Sequence, residues 1–331
     1  MKVTVVYSDQ QTEELVFSNG VEFSDYINPI SVPGSKLAEG LLTSHQVRWF
    51  TKALKRTAPI DKIVLESFDT GSAPTIVAIT AELADANAAP VPVAAALKPV
   101  DPVFVPQFND PVPQPPSKAD GLRALMVGGG SSHDFAKWYG GTDKQTLAAI
   151  KPGWIDYTQN ANGVPAVLDN VDVLAWSANQ PISSATAAAL IKFVNSGKGL
   201  VIEHPGTWYA WNNFPQWNRE VVGGGARGHD SFGEFEVEVI EPNHPLMAGL
   251  PKKFKITDEL YYFVPEAGAV PIKVLAQATS PKNGKVYPQV WVVEHPKSRV
   301  VAITLGHDGK AHELPEYQTL IKNAFNWAAK K

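Results

Sequence analysis

The chain of 331 residues contains no cysteine. This absence excludes disulfide bonds, thiolate metal ligands and cysteine nucleophiles, although it is compatible with either an oxidising or a reducing compartment. Positive charge is not in excess either, because 29 lysines and arginines stand against 33 aspartates and glutamates for a net charge of -4. No basic run occurs, and we therefore expect no nucleic-acid partner, which would require clustered lysine and arginine.

Long apolar runs are also missing. No segment approaches the roughly 20 apolar residues that a membrane-spanning helix requires, so we expect no membrane span. The first residues, MKVTVVYSDQQ, lack the charged-then-apolar order of a signal peptide. Because residues 3–7 already have the pattern of a strand, the sequence is compatible with a protein whose leader has been removed, and it slightly favours a periplasmic or secreted location.

Prolines crowd one part of the chain, residues 87–119. Closely spaced prolines exclude a regular helix or a central strand and favour extended, semi-rigid backbone. We interpret this segment as a linker between two domains, 1–86 and 120–331, which the 44% hydrophobic content can supply with cores. Apolar side chains within the linker predict that it lies against a domain; these are Val103, Phe104, Val105 and Phe108.

The first domain, 1–86, consists of short alternating segments separated by turn signals, which predict an antiparallel β-sandwich. The segments are VTVVYS (3–8), EELVFS (13–18), QVRWFTKAL (46–54), DKIVLESF (61–68) and TIVAITAEL (75–83). The order VPGS (32–35), VRWF (47–50), DKIVLES (61–67) and APTIVAITAE (73–82) resembles the galactose-binding-like jelly rolls that serve as carbohydrate-binding modules. Such modules stack sugars on exposed aromatic rings, for which Tyr7, Tyr26 and Trp49 are candidates, although strand aromatics more often belong to the core.

The pattern after the linker changes to alternating strands and helices. Apolar runs at 122–129, 171–178 and 199–204 predict buried strands, and residues 183–197 and 315–330 have helical spacing. Apolar strands joined by helices are typical of a parallel sheet with right-handed crossovers. The second domain is therefore predicted to be an open α/β fold.

Histidines concentrate in this second domain, and three of them precede aspartate in glycine-bearing segments. Imidazole titrates near neutral pH, and a neighbouring carboxylate orients or charges it, so repeated pairs in loops favour acid–base chemistry or metal ligation. Such sequences also serve as turns and helix caps. The three pairs are His133-Asp134, His229-Asp230 and His307-Asp308.

The ends of the predicted strands indicate which histidines meet. His133, His204 and His307 each follow an apolar strand, and ligands of open α/β sheets bind beyond the carboxyl ends of the strands. If these strands are parallel, the three histidines share one edge and form a site. His295 lies in the tight turn before the strand that leads to His307, so we expect it at the opposite end.

A dense aromatic stretch, TWYAWNNFPQW at 207–217, follows His204 directly. Sugar rings stack on aromatic faces through their apolar C–H groups, although packing beneath a loop is the alternative for any single ring. We expect substrate-binding residues here and in ITDELYYF (256–263); the candidates are Trp208, Tyr209, Trp211 and Tyr261.

Several motifs of the second domain occur in the order found in ThuA-like domains. They are GGGSSHDF (128–135), GLVIEH (199–204), VVGGGARGH (221–229), HPLMAGLP (244–251), ITDELYYF (256–263), LGHD (305–308) and NWAA (326–329). The resemblance to this trehalose-utilisation family implies a flavodoxin-like sheet similar to class I glutamine amidotransferases. It also implies a role in bacterial sugar or glycoside catabolism, in some settings beside oxidoreductases that make 3-keto sugars.

The resemblance places recurrent polar residues at His133, His204, His229, Asp258, Glu259 and His307. To these we add Asp308 from the third histidine–aspartate pair. The turn where amidotransferases carry their nucleophile contains neither cysteine nor serine here, since it continues from Glu203 through His204 to Pro205 and Gly206. Amidotransferase chemistry is therefore rejected.

The sequence predicts a carbohydrate-active protein that performs acid–base chemistry on a glycoside or keto-sugar, as a hydrolase, lyase or isomerase. A metal-dependent hydrolase or isomerase and a non-catalytic sugar-binding protein stay open as alternatives. The histidines suit a divalent metal, but because they lack the tight spacing of a zinc motif we expect the metal to be optional. No nucleotide cofactor is expected, since the G-x-G-x-x-G pattern at 223–228 follows a predicted helix instead of a strand. The sequence leaves the oligomeric state open.

Overall fold

The computed structural model describes residues 1–17, 21–23, 32, 34–38, 47–66, 76, 78–80, 106–211 and 214–329. The chain divides into two compact units, Met1–Val103 and Phe104–Lys331. The linker bounds inferred from the prolines stay a prediction, because residues 81–105 lie outside the described part. Among the described residues, no helix combines the length and apolar character needed to cross a membrane.

The first unit contains antiparallel strands. They are β1 (Lys2–Tyr7), β2 (Thr12–Val16), β3 (Lys36–Leu37), β4 (Arg48–Trp49) and β5 (Ile60–Glu66). The order β2-β1-β5 forms one sheet, and β3 pairs with β4, as the alternating segments predicted. Tyr7 is fully buried and its hydroxyl donates to Glu13 at 2.8 Å, which assigns it to the core, whereas Trp49 is 49% exposed. Tyr26 and most of the segment predicted as a strand at 75–83 lie outside the described residues.

The second unit alternates strands and helices. Its strands are β6 (Arg123–Val127), β7 (Trp154–Thr158), β8 (Val173–Trp176), β9 (Gly199–Glu203), β10 (Gly224–His229), β11 (Gly233–Val239), β12 (Lys253–Asp258), β13 (Tyr261–Pro265), β14 (Ile272–Thr279), β15 (Val286–Val293) and β16 (Val300–Ile303). Its α-helices are α1 (Phe135–Lys137), α2 (Lys144–Ala148), α3 (Ser184–Asn195), α4 (Gly309–His312) and α5 (Pro315–Ala328). A π-helical turn, Trp138–Asp143, joins α1 to α2, and another spans Trp217–Val222.

A nine-stranded sheet organises this unit in the order β12-β11-β14-β15-β16-β9-β8-β6-β7. The five strands from β16 to β7 are parallel, and the remaining strands extend the sheet with antiparallel pairings. All residues of β8, β9 and β16 are buried, since a hydrophobic cluster covers each face of the sheet. The predicted flavodoxin-like α/β fold is therefore confirmed for this unit.

The predicted helices at 183–197 and 315–330 are also confirmed, and their ends have local causes. The Ser183 hydroxyl accepts a hydrogen bond from the backbone N–H of Thr186 and caps α3. Pro315 occupies the first turn of α5, where its missing N–H costs nothing. The end of the proline-rich segment packs within the second unit, because a Cβ on Gly129 would stand 2.9 Å from the Phe108 ring and the Asn160 side chain donates to the Asp110 carbonyl at 2.8 Å. Val103, Phe104 and Val105 lie outside the described residues.

One ion pair fastens the start of β6. The Arg123 guanidinium donates to both carboxylate oxygens of Asp172 at 2.7 and 2.9 Å, and the Arg123 backbone N–H donates at 3.0 Å. These contacts hold the pKa of Asp172 below its usual value. We expect Asp172→Asn to lower the free energy of unfolding by about 1 kcal/mol at pH 7, a value limited by solvent screening because the carboxylate is 37% exposed.

The sign of the pH dependence follows from the depressed pKa. The contribution of Asp172 is present above the unfolded pKa of about 3.9 and is lost as the pH falls through the lower folded value. Urea unfolding at pH 7 and at pH 3 measures the difference between wild type and variant. A difference that does not shrink at the lower pH would contradict the assignment.

Candidate functional site

Three histidines meet beyond the carboxyl edge of the parallel strands. His133 follows β6, His204 follows β9 and His307 follows β16. The ring centroids lie 5.0 Å apart for His133 and His204, 4.8 Å for His133 and His307, and 5.6 Å for His204 and His307. The convergence predicted from the strand directions is confirmed, because β6, β8, β9 and β16 are parallel neighbours.

His295 has the opposite placement. It lies in the turn between β15 and β16, at the amino end of the strand that leads to His307. Its Nδ1 accepts hydrogen bonds from the backbone N–H groups of Lys297 and Ser298. His295 is therefore a turn residue remote from the three-histidine site, as the sequence predicted.

His204 lies at the sharpest turn of the site. Its φ of 28° is in the left-handed region that residues with a side chain rarely adopt. The turn lies so close to β8 that a Cβ on Gly206 would stand 2.4 Å from the Trp176 carbonyl oxygen, and only glycine fits there. The His204 Nδ1 donates to the Thr304 carbonyl at 2.5 Å. Since a carbonyl only accepts, Nε2 carries the free lone pair.

His133 has the same tautomer for the same reason. Its Nδ1 donates to the Ser131 carbonyl at 3.0 Å, which leaves the lone pair on Nε2. The loop that carries it closes tightly over Asn179, whose side-chain oxygen accepts from the Ser131 N–H at 2.9 Å. At Gly130, with φ of 140°, a Cβ would clash with that oxygen at 1.7 Å, so the close approach requires glycine.

Glu259, between β12 and β13, directs its carboxylate to this group. One oxygen, Oε2, lies 3.2 Å from Nδ1 of His307 and 3.8 Å from Nε2 of His204. The other, Oε1, lies 3.6 Å from Nδ1 of His229. The potential ligand atoms of Glu259 and of the three histidines that follow β6, β9 and β16 all lie within 4.8 Å of one another. We call these four residues the histidine–glutamate cluster.

Asp258 accepts hydrogen bonds from the neighbouring backbone. Its buried carboxylate accepts hydrogen bonds from the N–H groups of Gly306 at 2.7 Å, Glu259 at 2.8 Å and His307 at 3.1 Å. Burial raises the pKa of Asp258 to about 6, and these N–H groups oppose the rise. We interpret Asp258 as a positioning residue. Asp308 caps α4 by accepting from the Lys310 N–H at 2.9 Å.

The environment sets the charge of each group in the cluster. Burial lowers the pKa of His133 to about 4 and that of His204 well below its ordinary value, so both are neutral at pH 7. Contact with Glu259 raises the pKa of His307 against burial. Burial opposes ionisation of Glu259, but contact with His307 holds its pKa below the usual value. The cluster thus combines two neutral imidazoles with an ionised carboxylate.

Aromatic rings border the cluster. The Tyr261 ring lies 4.2 Å from that of His204, and the Trp208 ring lies 5.0 Å from Tyr261 and 6.0 Å from His229. Phe232, 41% exposed, contacts His307 at 5.6 Å between ring centroids. Phe232 was not among the predicted site residues; the feature of the sequence that points to it is its place three residues after His229 in GHDSF.

Two other aromatic candidates lie elsewhere. Trp211 is 4% exposed, packs edge-to-face with the buried Trp176 and Trp217, and donates from Nε1 to the Gln180 carbonyl at 2.8 Å. The structure therefore assigns Trp211 to the core. The Tyr209 ring is covered by the Arg227 guanidinium at 4.1 Å.

His229 occupies the open side of the site. Its side chain is 37% exposed, and its Nδ1 donates to the Asp230 carbonyl at 2.7 Å. Nε2 is then the basic nitrogen of the ring. Together with the nearby Glu259 carboxylate, His229 has the arrangement that a general base requires.

The family described as ThuA, trehalose utilisation, matches residues 145–328. A ThuA-like protein from Parabacteroides merdae is 21% identical with a TM-score of 0.57, over 64% of this chain and 91% of that one. Another from Bacteroides uniformis is 20% identical with a TM-score of 0.54, over 67% of this chain and 95% of that one. The two structures share the fold, and no curated protein matches the chain.

Proposed function

The chain belongs to the ThuA, trehalose utilisation, family, and from that premise we propose that its second unit performs acid–base chemistry on a keto-sugar or glycoside. Family membership gives the protein a carbohydrate-related role. The observation that supports a chemical step is the convergence of Glu259 with histidines from three separate loops. Single buried histidines are common in cores, but a carboxylate shared by several imidazoles is typical of reactive sites.

His229 is the proposed base. Its Nδ1–H is held by the Asp230 carbonyl, so Nε2 accepts the substrate proton. The imidazolium that results lies 3.6 Å from Oε1 of Glu259, whose negative charge stabilises it. A base oriented by one hydrogen bond and stabilised by a neighbouring carboxylate follows the same physical scheme as other histidine bases.

The number of carboxylates favours a keto-sugar over an unmodified glycoside. Glycoside hydrolysis ordinarily uses two carboxyl groups that flank the scissile bond. Among the described residues the cluster contains one carboxylate, Glu259, because the oxygens of Asp258 accept from backbone N–H groups. A carbonyl acidifies the adjacent C–H bond, whose proton moves to His229 while the electron pair moves to the carbonyl oxygen. One base is then sufficient.

Trp208 and Phe232 are proposed to hold the sugar ring at the rim. Both rings contact histidines of the site, His229 and His307 respectively. Pyranose rings present apolar C–H faces that stack on aromatic surfaces. Tyr261, which is buried against His204, would line the floor beneath the substrate.

Turnover of glycosides and their 3-keto forms tests the proposal. We expect the keto forms to react, and we expect Trp208→Ala to raise KM about fivefold, since an aromatic contact contributes about 1 kcal/mol. Trp327→Ala, which removes a ring beside Arg299 at the amino end of β16, is the matched control and should leave KM unchanged. Measured sugar binding without turnover would favour a non-catalytic sugar-binding protein. Neither binding nor turnover with any sugar would reject the proposal.

A further inference from the structure

The histidine–glutamate cluster contains three imidazole nitrogens that have no hydrogen-bond partner among the described residues. We propose that the cluster binds one divalent transition-metal ion. The ligand atoms are Nε2 of His133, Nε2 of His204, Nδ1 of His307 and Oε2 of Glu259.

The three unpartnered imidazole nitrogens support a bound cation. A buried polar atom without a partner is destabilising, and buried polar groups in native proteins are nearly always satisfied. Here three such nitrogens, on His133, His204 and His307, lie together and not at scattered places. Although Nδ1 of His307 lies 3.2 Å from Glu259, the pair does not have hydrogen-bond geometry. A single cation satisfies all three nitrogens at once.

The hydrogen bonds that orient the ligands also support a bound metal ion. Metal-bound histidines ordinarily donate their other ring N–H to a carbonyl or carboxylate, which fixes the tautomer and the ring orientation. His133 does so with the Ser131 carbonyl and His204 with the Thr304 carbonyl. Asp258 binds the backbone N–H groups of both Glu259 and His307. The rings of His133 and His204 are thus oriented by hydrogen bonds of the fold, and the backbone that carries Glu259 and His307 is held by Asp258.

The donor set selects the class of ion. Three imidazole nitrogens and one carboxylate oxygen suit Zn²⁺, Ni²⁺ or Co²⁺, whereas Mg²⁺ and Ca²⁺ prefer oxygen ligands. Donors bound at about 2.1 Å in a tetrahedral site stand about 3.4 Å apart. His307 and Glu259 already have that separation at 3.2 Å, and small side-chain rotations bring in the rest from within 4.8 Å.

The metal site deepens the proposed function. The site itself follows from the geometry of the cluster, and only the choice of a sugar as substrate rests on the proposed function. A metal ion at the cluster would polarise the carbonyl oxygen of a keto-sugar while His229, outside the ligand set, takes the proton. A metal was expected to be optional because the histidines lack the tight spacing of a zinc motif. The four ligands are far apart in the sequence and meet only at the edge of the folded sheet, so their spacing along the chain does not reveal the site.

Metal uptake by the tag-free, chelator-treated full chain tests the inference without any sugar. We expect calorimetric titration with Zn²⁺ to give one equivalent per chain, Co²⁺ to produce visible d–d absorption, and Mg²⁺ to give no heat. Glu259→Gln and His307→Gln should weaken Zn²⁺ affinity by at least about 100-fold. The matched control is His295→Gln, which removes a histidine from the opposite end of β16 and should keep full affinity.

Two further measurements distinguish a loss of metal binding from a loss of folding or of catalytic function. Circular dichroism verifies that each variant is folded, and Zn²⁺ should raise the thermal midpoint of the wild type but not of Glu259→Gln. Absence of uptake by the folded wild type, or equal uptake by all variants, would overturn the inference. One equivalent of bound Zn²⁺ without turnover of any sugar would instead reject the proposed function and leave the metal site standing.

Discussion

Replacing His229 with glutamine should lower kcat for a keto-sugar by about 1,000-fold, the contribution of a well-placed general base. Glutamine retains a hydrogen-bonding side chain of similar reach but has no basic nitrogen. Because the His229 side chain is 37% exposed, the free energy of unfolding should change by less than about 0.5 kcal/mol. Steady-state kinetics and urea unfolding of the same preparation measure both quantities.

Two comparisons make this prediction specific. His295→Gln, in the turn before β16, should retain wild-type kcat. His229→Gln should retain full Zn²⁺ uptake, because His229 is not a member of the histidine–glutamate cluster, whereas Glu259→Gln should lose both uptake and turnover. If kcat of His229→Gln stays within tenfold of the wild type, His229 is not the base.

Replacing Asp143 with alanine should lower the free energy of unfolding of the second unit by about 3–5 kcal/mol. Asp143 is fully buried in the π-helical turn and accepts hydrogen bonds from Nδ1 of His312 at 2.8 Å and from the Tyr317 hydroxyl at 3.3 Å. His312 in turn bonds from Nε2 to the carbonyl of Gly306, beside His307. Alanine removes the partner of the buried His312 Nδ1 and of the buried Tyr317 hydroxyl, and it removes support from the loop that carries His307.

Tryptophan fluorescence during urea unfolding is the appropriate measurement, since eight of the nine tryptophans lie after residue 137. Asp143→Asn, which keeps the shape and a hydrogen-bond acceptor, should cost less than the alanine variant. Asp134→Ala removes the cap of α1 at the start of the same helical segment and should cost about 1 kcal/mol. Equal losses for Asp143→Ala and Asp134→Ala would contradict the role given to the buried network.

Local pattern was enough to predict most elements of the second unit. Apolar runs bounded by glycine indicated β6, β8 and β9, and the serine start with helical spacing indicated α3. These elements bury particular side chains in a core, and the positions of those side chains appear in the sequence as a hydrophobic period or run. The π-helical turn at Trp138–Asp143 left no such period, because its geometry depends on the buried contacts of Asp143.

The candidate site was predicted in part. Chain direction alone was sufficient to bring His133, His204 and His307 to one edge, since parallel strands end on the same side. The different placements of adjacent Asp258 and Glu259 were not predictable, because neighbours along a chain point in different directions once the backbone turns. Trp211, which was expected at the site, lies in the core, and Phe232, which was not a candidate, lies beside His307.

The sequence by itself determined the class of this protein: a cysteine-free α/β domain of the ThuA family whose histidines follow its strands. These properties are local, because composition, periodicity and motif order can be obtained from the sequence without knowing any tertiary contact. Only the tertiary structure decided which nitrogen of each histidine is free and which carboxylate lies beside it. Those choices depend on carbonyls and N–H groups from distant segments, such as Thr304 for His204, that meet only when the sheet has formed.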